Sequence, residues 1–216
     1  MKLGLPPPVA DLQKVPAEIH MLPTGTRLVR LYYRGGDHPT TWHAFRAEGP
    51  LNGRFDHQLP REAGARRTRP SAPPRAILYA ALDALTCLAE VYQDTRQIDR
   101  QHKAPWMAVF DLNAPLKLQD LSGRWPTRAG TSGALATGRR DYAQAWSRHI
   151  YEAYPDIHGL YCRSSMDPRG FCIALYERAG GVGALPRRPL FNRSLADASW
   201  EPTLENAAGE IVYLLV

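Results

Sequence analysis

The chain has 216 residues, of which 44% are hydrophobic and 22% charged, and its formal net charge is +6. That length suits one domain with a sizeable core, and no apolar stretch reaches the roughly 20 residues of a membrane-spanning helix. Consecutive prolines near the start interrupt the apolar run that a secretory signal needs, so we expect no export. Three cysteines without C-x-x-C spacing indicate a reducing, cytoplasmic setting.

The excess positive charge is concentrated in one stretch. Residues 61–75 carry five arginines and one glutamate among prolines, alanines and a glycine. This composition favours a flexible arginine-rich insertion over a dedicated nucleic-acid site. A positive surface also attracts small anionic ligands or an acidic protein, so charge alone leaves the partner open.

The first part of the chain predicts an arm followed by a strand. Residues 1–25 are proline-rich and weakly patterned, which predicts an N-terminal arm, and we assign residues 26–216 to the folded domain. The stretch TRLVRLYY alternates, so Leu28, Arg30 and Tyr32 share one strand face. Arg30 therefore interrupts a mostly apolar face.

The remaining pattern mixes strands and helices. Asp83 is expected to cap a helix that continues to about Ile98. A second amphipathic helix is predicted before Pro155, after a loop rich in glycine, threonine and serine. Further strands are predicted at 76–82, 106–112, 158–165, 170–177 and 210–216, and the helix before Pro155 at 139–154. Without regular βαβ alternation, this order indicates the α+β class.

Several polar side chains stand out within these apolar segments. Read alone, Arg30 is explained by pairing with a carboxylate at a sheet edge, and Glu90 by solvation just beyond the core stripe of its helix. Tyr79 alternates onto the same face as Ile77 and reads equally well as a core tyrosine. Ser164 is more telling, because its hydroxyl would face an apolar strand surface and need a partner.

Taken together, these residues resemble the RES domain family from about residue 26 to residue 178. The family is named for an arginine, a glutamate and a serine, which match Arg30, Glu90 and Ser164. The loop GRFD, which contains Arg54, also matches, as does Tyr79, eleven residues before the glutamate. The chain departs from the family pattern in the long connection that carries residues 61–75. The adjacent Ser165 also makes the serine assignment ambiguous.

The resemblance implies an ADP-ribosyltransferase-like fold with a mixed β core flanked by helices. It also implies a toxin that consumes NAD by cleaving the nicotinamide–ribose bond, with water or inorganic phosphate as the acceptor. The expected protein partner is an Xre-type antitoxin, through which nucleic acid would be contacted only indirectly, and no membrane is involved. Two alternatives stay open: transfer of ADP-ribose to a macromolecule, and a basic nucleic-acid-binding module.

That reaction places definite demands on the matched residues. The pyrophosphate calls for permanently charged arginines, expected to be Arg30 and Arg54. Positive charge that develops on the ribose calls for a carboxylate, expected to be Glu90. Ser164 and Tyr79 are expected to orient the ribose and the nicotinamide.

Tyr32 is expected to flank the same pocket, since it follows Arg30 closely. His38, His43 and His57 do not have the spacings of metal ligands, so no metal site is predicted.

Overall fold

The fold is built on ten strands and six α-helices in residues 4–60 and 74–216, the part of the chain that the computed structural model describes. The strands are β1 (Ile19–Leu22), β2 (Arg27–Tyr33), β3 (Ile77–Ala81), β4 (Gln97–Ile98), β5 (Pro105–Asp111), β6 (Leu116–Asp120), β7 (Gly159–Arg163), β8 (Phe171–Tyr176), β9 (Phe191–Ser194) and β10 (Leu214–Leu215). The helices are α1 (Val9–Leu12), α2 (Ala84–Val91), α3 (Trp125–Arg128), α4 (Arg140–Ala153), α5 (Arg178–Gly181) and α6 (Glu201–Ile211).

Eight of the strands form one mixed sheet in the order β1-β6-β7-β8-β3-β2-β5-β9. Neighbouring strands are antiparallel except for β6 and β7, which are parallel. Strands β4 and β10 form a separate parallel pair. The predicted α+β class is confirmed.

The two faces of the sheet are covered differently. One face carries Leu28 and Tyr32 of β2 and packs against loop residues that include Trp42. On the other face, α4 covers one end of the sheet, while α2 and α6 cover the other end, next to Val29. The alternation predicted for β2 is therefore observed. The two helical clusters leave a gap between them over β3, β7 and β8.

Local signals located the start of α2 correctly but not its end. Asp83 caps the helix by accepting a hydrogen bond from Thr86 N at 2.7 Å. The predicted end near Ile98 is wrong, because α2 stops at Val91. Arg96 then adopts a left-handed conformation with φ 54°, and Ile98 pairs with β10.

The C-terminal strand prediction is largely wrong as well. Glu210 and Ile211 belong to α6, and only Leu214–Leu215 form a strand. Val212 separates the two elements in a left-handed conformation, with φ 54°. The region between the strand at 106–112 and the helix at 139–154 was predicted as a loop, yet it contains β6 and α3.

The segment predicted as an arm packs on the rest of the domain. Helix α1 contacts α4, and β1 pairs with β6 at one edge of the sheet. Most of the predicted insertion, residues 61–73, lies outside the described residues. Arg75, at its end, donates a hydrogen bond to Glu152 Oε1 at 2.7 Å. No helix in the described ranges is both long enough and apolar enough to cross a membrane.

Candidate active site

A cavity of about 320 Å³ lies where the two helical clusters separate. Its floor includes the small side chains of Ala81 in β3, Cys162 in β7, and Cys172 and Ala174 in β8. Because these side chains are short, they leave space above the sheet. The polar groups around it come from α2, from the loop before residue 56, from the start of α4 and from the end of β7. They include Asn52, Arg54, Glu90, Gln93, Arg140, Arg163 and Ser165, and Tyr79 of β3 joins them.

Glu90 is held by a turn that follows β7. Its Oε1 accepts hydrogen bonds from Ser164 Oγ at 2.6 Å, from Ser165 N at 2.6 Å and from Ser165 Oγ at 3.0 Å. Within the described residues, all the side-chain hydrogen bonds to this carboxylate end on Oε1. The carboxylate is therefore held through Oε1, and its Oε2 accepts no hydrogen bond from the described residues.

Ser164 acts from behind Glu90. It is 6% exposed, and its Oγ accepts hydrogen bonds from the backbone N–H groups of Met166 and Asp167 at 3.0 and 2.9 Å. Ser165 lines the cavity, whereas Ser164 is not part of the cavity wall. Both serines therefore donate hydrogen bonds to Glu90, so the structure gives each of them a role beside the glutamate.

Arg54 reaches the cavity from the GRFD loop. Its Nη1 donates to Gly138 O at 2.6 Å, which anchors the side chain to the segment before α4. Burial lowers the pKa of Arg54, while the nearby Glu90 opposes that shift and Arg140 adds to it. The guanidinium therefore lies within electrostatic reach of both the carboxylate and a second cation.

Asp56 holds the same loop in place. This carboxylate is fully buried, and it accepts hydrogen bonds from Arg46 Nη2 at 2.6 Å, Tyr79 Oη at 2.8 Å and Leu51 N at 2.7 Å. A side chain at Gly53 would collide with it, because a Cβ there would lie 2.2 Å from Asp56 Oδ1. The loop therefore needs both the glycine and the aspartate of GRFD.

Tyr79 contributes its ring to the cavity rather than a free hydroxyl. The hydroxyl donates to Asp56 and accepts from Phe55 N at 3.0 Å. Burial, with Asp56 next to it, raises the pKa of Tyr79 well above its ordinary value. A neutral, internally bonded tyrosine can offer a ligand mainly its aromatic face.

Arg30 lines a neighbouring cavity of about 580 Å³, which shares Leu31 and Tyr79 with the first. The sheet is open here, because the first residue of β3, Ile77, is hydrogen-bonded to Arg46 instead of to β2. Strand β2 pairs with β3 at Val29, and Arg30 is the next residue of β2.

The charge of Arg30 has no carboxylate partner among the described residues. Arg30 is 7% exposed and donates from Nη2 to Ala44 O at 3.1 Å, while its buried Nη1 finds no hydrogen-bond acceptor in that part of the chain. Burial lowers the pKa of Arg30 to about 10, so it stays charged at neutral pH. A buried, unpaired cation of this kind is suited to an anionic ligand.

A protein-family model matches most of the chain. The model of the RES domain matches residues 27–198, which is most of the chain. The chain belongs to the RES domain family. No match is found among curated proteins.

The RES domain also resembles a solved structure. A chain in the crystal structure of the M. tuberculosis MbcT–MbcA toxin–antitoxin complex superposes with a TM-score of 0.60 at 14% sequence identity. The match covers 90% of this chain and 95% of that one. At this level of identity the likeness establishes the fold.

Tyr32 of the RES domain lies outside the cavity of Glu90. It lines the cavity of Arg30 and not that of Glu90, and its hydroxyl donates to Asn192 Oδ1 at 2.8 Å. Its ring is buried in the core. A structural role explains these contacts.

Sequence reasoning missed Arg140 and Arg46, which stand in no distinctive local pattern. Asp56 was noted only as part of GRFD, and its burial was not foreseen. Among the described residues, no three His, Cys, Asp or Glu side chains lie close enough to hold a metal ion.

Proposed function

We propose that this RES domain is the toxin of a toxin–antitoxin pair and that it consumes NAD by cleaving the nicotinamide–ribose bond. The observation that carries the proposal is Glu90, fixed through Oε1 and lining a cavity that Arg54 also lines. A carboxylate opposite cations is the arrangement that an anionic dinucleotide with a developing ribosyl cation requires.

Arg30 and Arg54 bind the pyrophosphate. Both guanidinium groups are buried or half-buried, and binding an anion compensates the desolvation that lowers their pKa values. The two cavities are neighbours that share Leu31 and Tyr79, and in this proposal one elongated ligand spans both. The ring of Tyr79 at the junction stacks against the ligand.

Glu90 supports the reacting ribose. Its free Oε2 accepts a hydrogen bond from a ribose hydroxyl and stabilises the positive charge that develops as nicotinamide leaves. Ser164 and Ser165 keep the carboxylate oriented, so little reorganisation is needed during the reaction. Water or inorganic phosphate then attacks the ribose carbon from which nicotinamide has left.

The protein partner we propose is an Xre-type antitoxin, in the cytoplasm where NAD is available. The support is the family membership, together with a fold shared with a chain that was crystallised in a toxin–antitoxin complex. Nucleic acid would be contacted only through the antitoxin.

The test is to incubate the purified protein with NAD, with and without phosphate, and to separate the products by chromatography. We expect release of nicotinamide, with free ADP-ribose if water is the acceptor and a phosphorylated ADP-ribose if phosphate is. Glu90→Gln should lower the rate by roughly 100-fold or more. Glu205→Gln, on the exposed face of α6, is the matched control and should leave it unchanged.

Stable NAD with correctly folded wild-type protein would refute the proposal. NAD loss that depends on an added protein or nucleic acid, which becomes labelled, would instead establish transfer to a macromolecule.

A further inference from the structure

The turn that holds Glu90 is joined to α2 at a second point, one helical turn earlier. Thr86 lies four residues before Glu90, so the two side chains emerge from the same face of the helix. Thr86 is fully buried, and its Oγ1 lies 2.9 Å from Asp167 Oδ2. The turn after β7 therefore contacts α2 through both Thr86 and Glu90.

Asp167 is also joined to Ser164 through its backbone. The N–H groups of Asp167 and Met166 both donate to Ser164 Oγ, and these two bonds occupy the acceptor positions of that oxygen. The hydroxyl proton is left to point at Glu90 Oε1, 2.6 Å away. The direction of the Ser164 hydroxyl thus depends on where Asp167 lies.

The packing at this point is tight. A Cβ added at Gly170 would lie 2.0 Å from Thr86 Oγ1 and 2.6 Å from Asp167 Oδ2, so only glycine fits where the turn passes the helix. Gly170 N donates to Asp167 O at 3.0 Å, which closes the turn over the threonine.

The hydroxyl of Thr86 lies between two carboxylates, those of Asp83 and Asp167. It lies 2.7 Å from Asp83 Oδ2, and Asp83 already caps α2 by accepting from Thr86 N. A hydroxyl has one proton to donate, so Asp83 and Asp167 compete for it. This shared hydroxyl couples the start of α2 to the turn that carries the serines.

We propose that Thr86 and Asp167 are positioning residues that set the distance between the serine turn and Glu90. This inference rests on the proposed NAD cleavage. Neither residue lines the cavity, so each acts through Ser164 on the orientation of the carboxylate. Losing the link weakens stabilisation of the transition state and leaves binding by the arginines intact, which lowers kcat and not the affinity for NAD.

Thr86→Val is the direct test, because valine keeps the branched shape of the buried side chain and removes the hydroxyl. We expect kcat for NAD consumption to fall roughly tenfold, because the carboxylate of Glu90 is less well oriented, with KM changed less than about twofold. Thr86→Ser, which restores the hydroxyl, should recover most of the activity. Asp167→Ala removes the carboxylate from the link and should behave like Thr86→Val, and Thr203→Val on α6 should match wild type.

Amide hydrogen exchange provides a readout that does not need activity. In Thr86→Val, the N–H groups of Met166 and Asp167 should exchange faster, because the turn loses an anchor, while the exchange of β7 stays unchanged. Thermal melting of each variant identifies any loss of the fold.

The outcomes separate this inference from the proposed function. Active wild type with an equally active Thr86→Val and unchanged exchange overturns the positioning role and leaves NAD cleavage standing. Inactive, folded wild type overturns NAD cleavage and the catalytic part of the inference with it. In that case, exchange still decides whether Thr86 positions the turn. If KM in Thr86→Val rose by as large a factor as kcat fell, the positioning role would also be contradicted, because binding by the arginines would then be affected.

Discussion

Replacing Asp56 by alanine should destabilise the protein more than any surface change, because its fully buried carboxylate accepts three hydrogen bonds. The variant leaves Arg46 without its ion pair, and it leaves the Tyr79 hydroxyl and Leu51 N without an acceptor. Removing one member of a buried ion pair costs about 3–5 kcal/mol. The Arg46 side chain is 29% exposed and also donates to Glu48 O, so it can recover some hydration.

We therefore expect the lower end of that range, a loss of about 3 kcal/mol in the free energy of unfolding. For a chain of this size, this corresponds to a melting temperature lowered by about 6–12 °C. Urea unfolding followed by circular dichroism measures the loss as a shift of the midpoint at constant slope. KM for NAD should rise in the same variant, because Arg54 sits on the loop that Asp56 anchors.

Asp56→Asn is the matched comparison. An amide oxygen still accepts from Arg46 and Tyr79, but its NH₂ group then faces Leu51 N, so we expect a smaller loss of about 1–2 kcal/mol. Asp156→Ala, at an exposed position, should leave the melting temperature unchanged. If Asp56→Ala unfolds within about 1 kcal/mol of wild type, the reasoning from buried partners is wrong.

Two further predictions concern charge. Arg30→Gln should lower kcat/KM for NAD by roughly 100-fold through the lost charge-assisted contacts. It should leave the melting temperature unchanged or raised, because it removes a buried cation that has no carboxylate partner in residues 4–60 and 74–216. Enzyme assays and calorimetry on Arg30→Gln and on the exposed control Arg187→Gln check this, and a large loss of stability would contradict it. At Glu177, burial raises the pKa of the carboxyl. Hydrogen bonds from His57, from Ala76 N and from Tyr151 have the larger combined effect and lower that pKa to about 2, from an ordinary 4.5. A lowered folded-state pKa means that this stabilisation is complete above about pH 4.5 and is lost as the pH falls toward 2. The difference in melting temperature between wild type and Glu177→Gln should therefore shrink over that window, and a difference independent of pH would rule the linkage out.

The parts of the fold that could be predicted from the sequence are those decided by local chemistry. Strand β2 follows from alternation, and the start of α2 from the capping carboxylate of Asp83. The end of α2 and the short C-terminal strand depend on the pairing of β4 with β10. These strands are more than 100 positions apart in the sequence, so no local pattern predicts their pairing.

The candidate site divides in the same way. Read alone on its helix, Glu90 was most simply explained as a solvated glutamate, and only the tertiary structure brings Ser164 and Ser165 onto it, across 74 and 75 positions of sequence. The alternation of β2 located Arg30 on a face. It could not reveal that the sheet opens there or that the guanidinium has no carboxylate partner among the described residues.

By itself, then, the sequence determined the α+β class, the face of β2 that carries Arg30, the cap of α2 and, through residue order and spacing, the likeness to the RES domain family. Tertiary structure alone decided which serine lines the cavity, that the Tyr79 hydroxyl is occupied by Asp56, and that Thr86 is joined to the serine turn. The physical reason is range. Propensity and capping act over a few residues, whereas each of these contacts joins segments that meet only when the sheet is assembled.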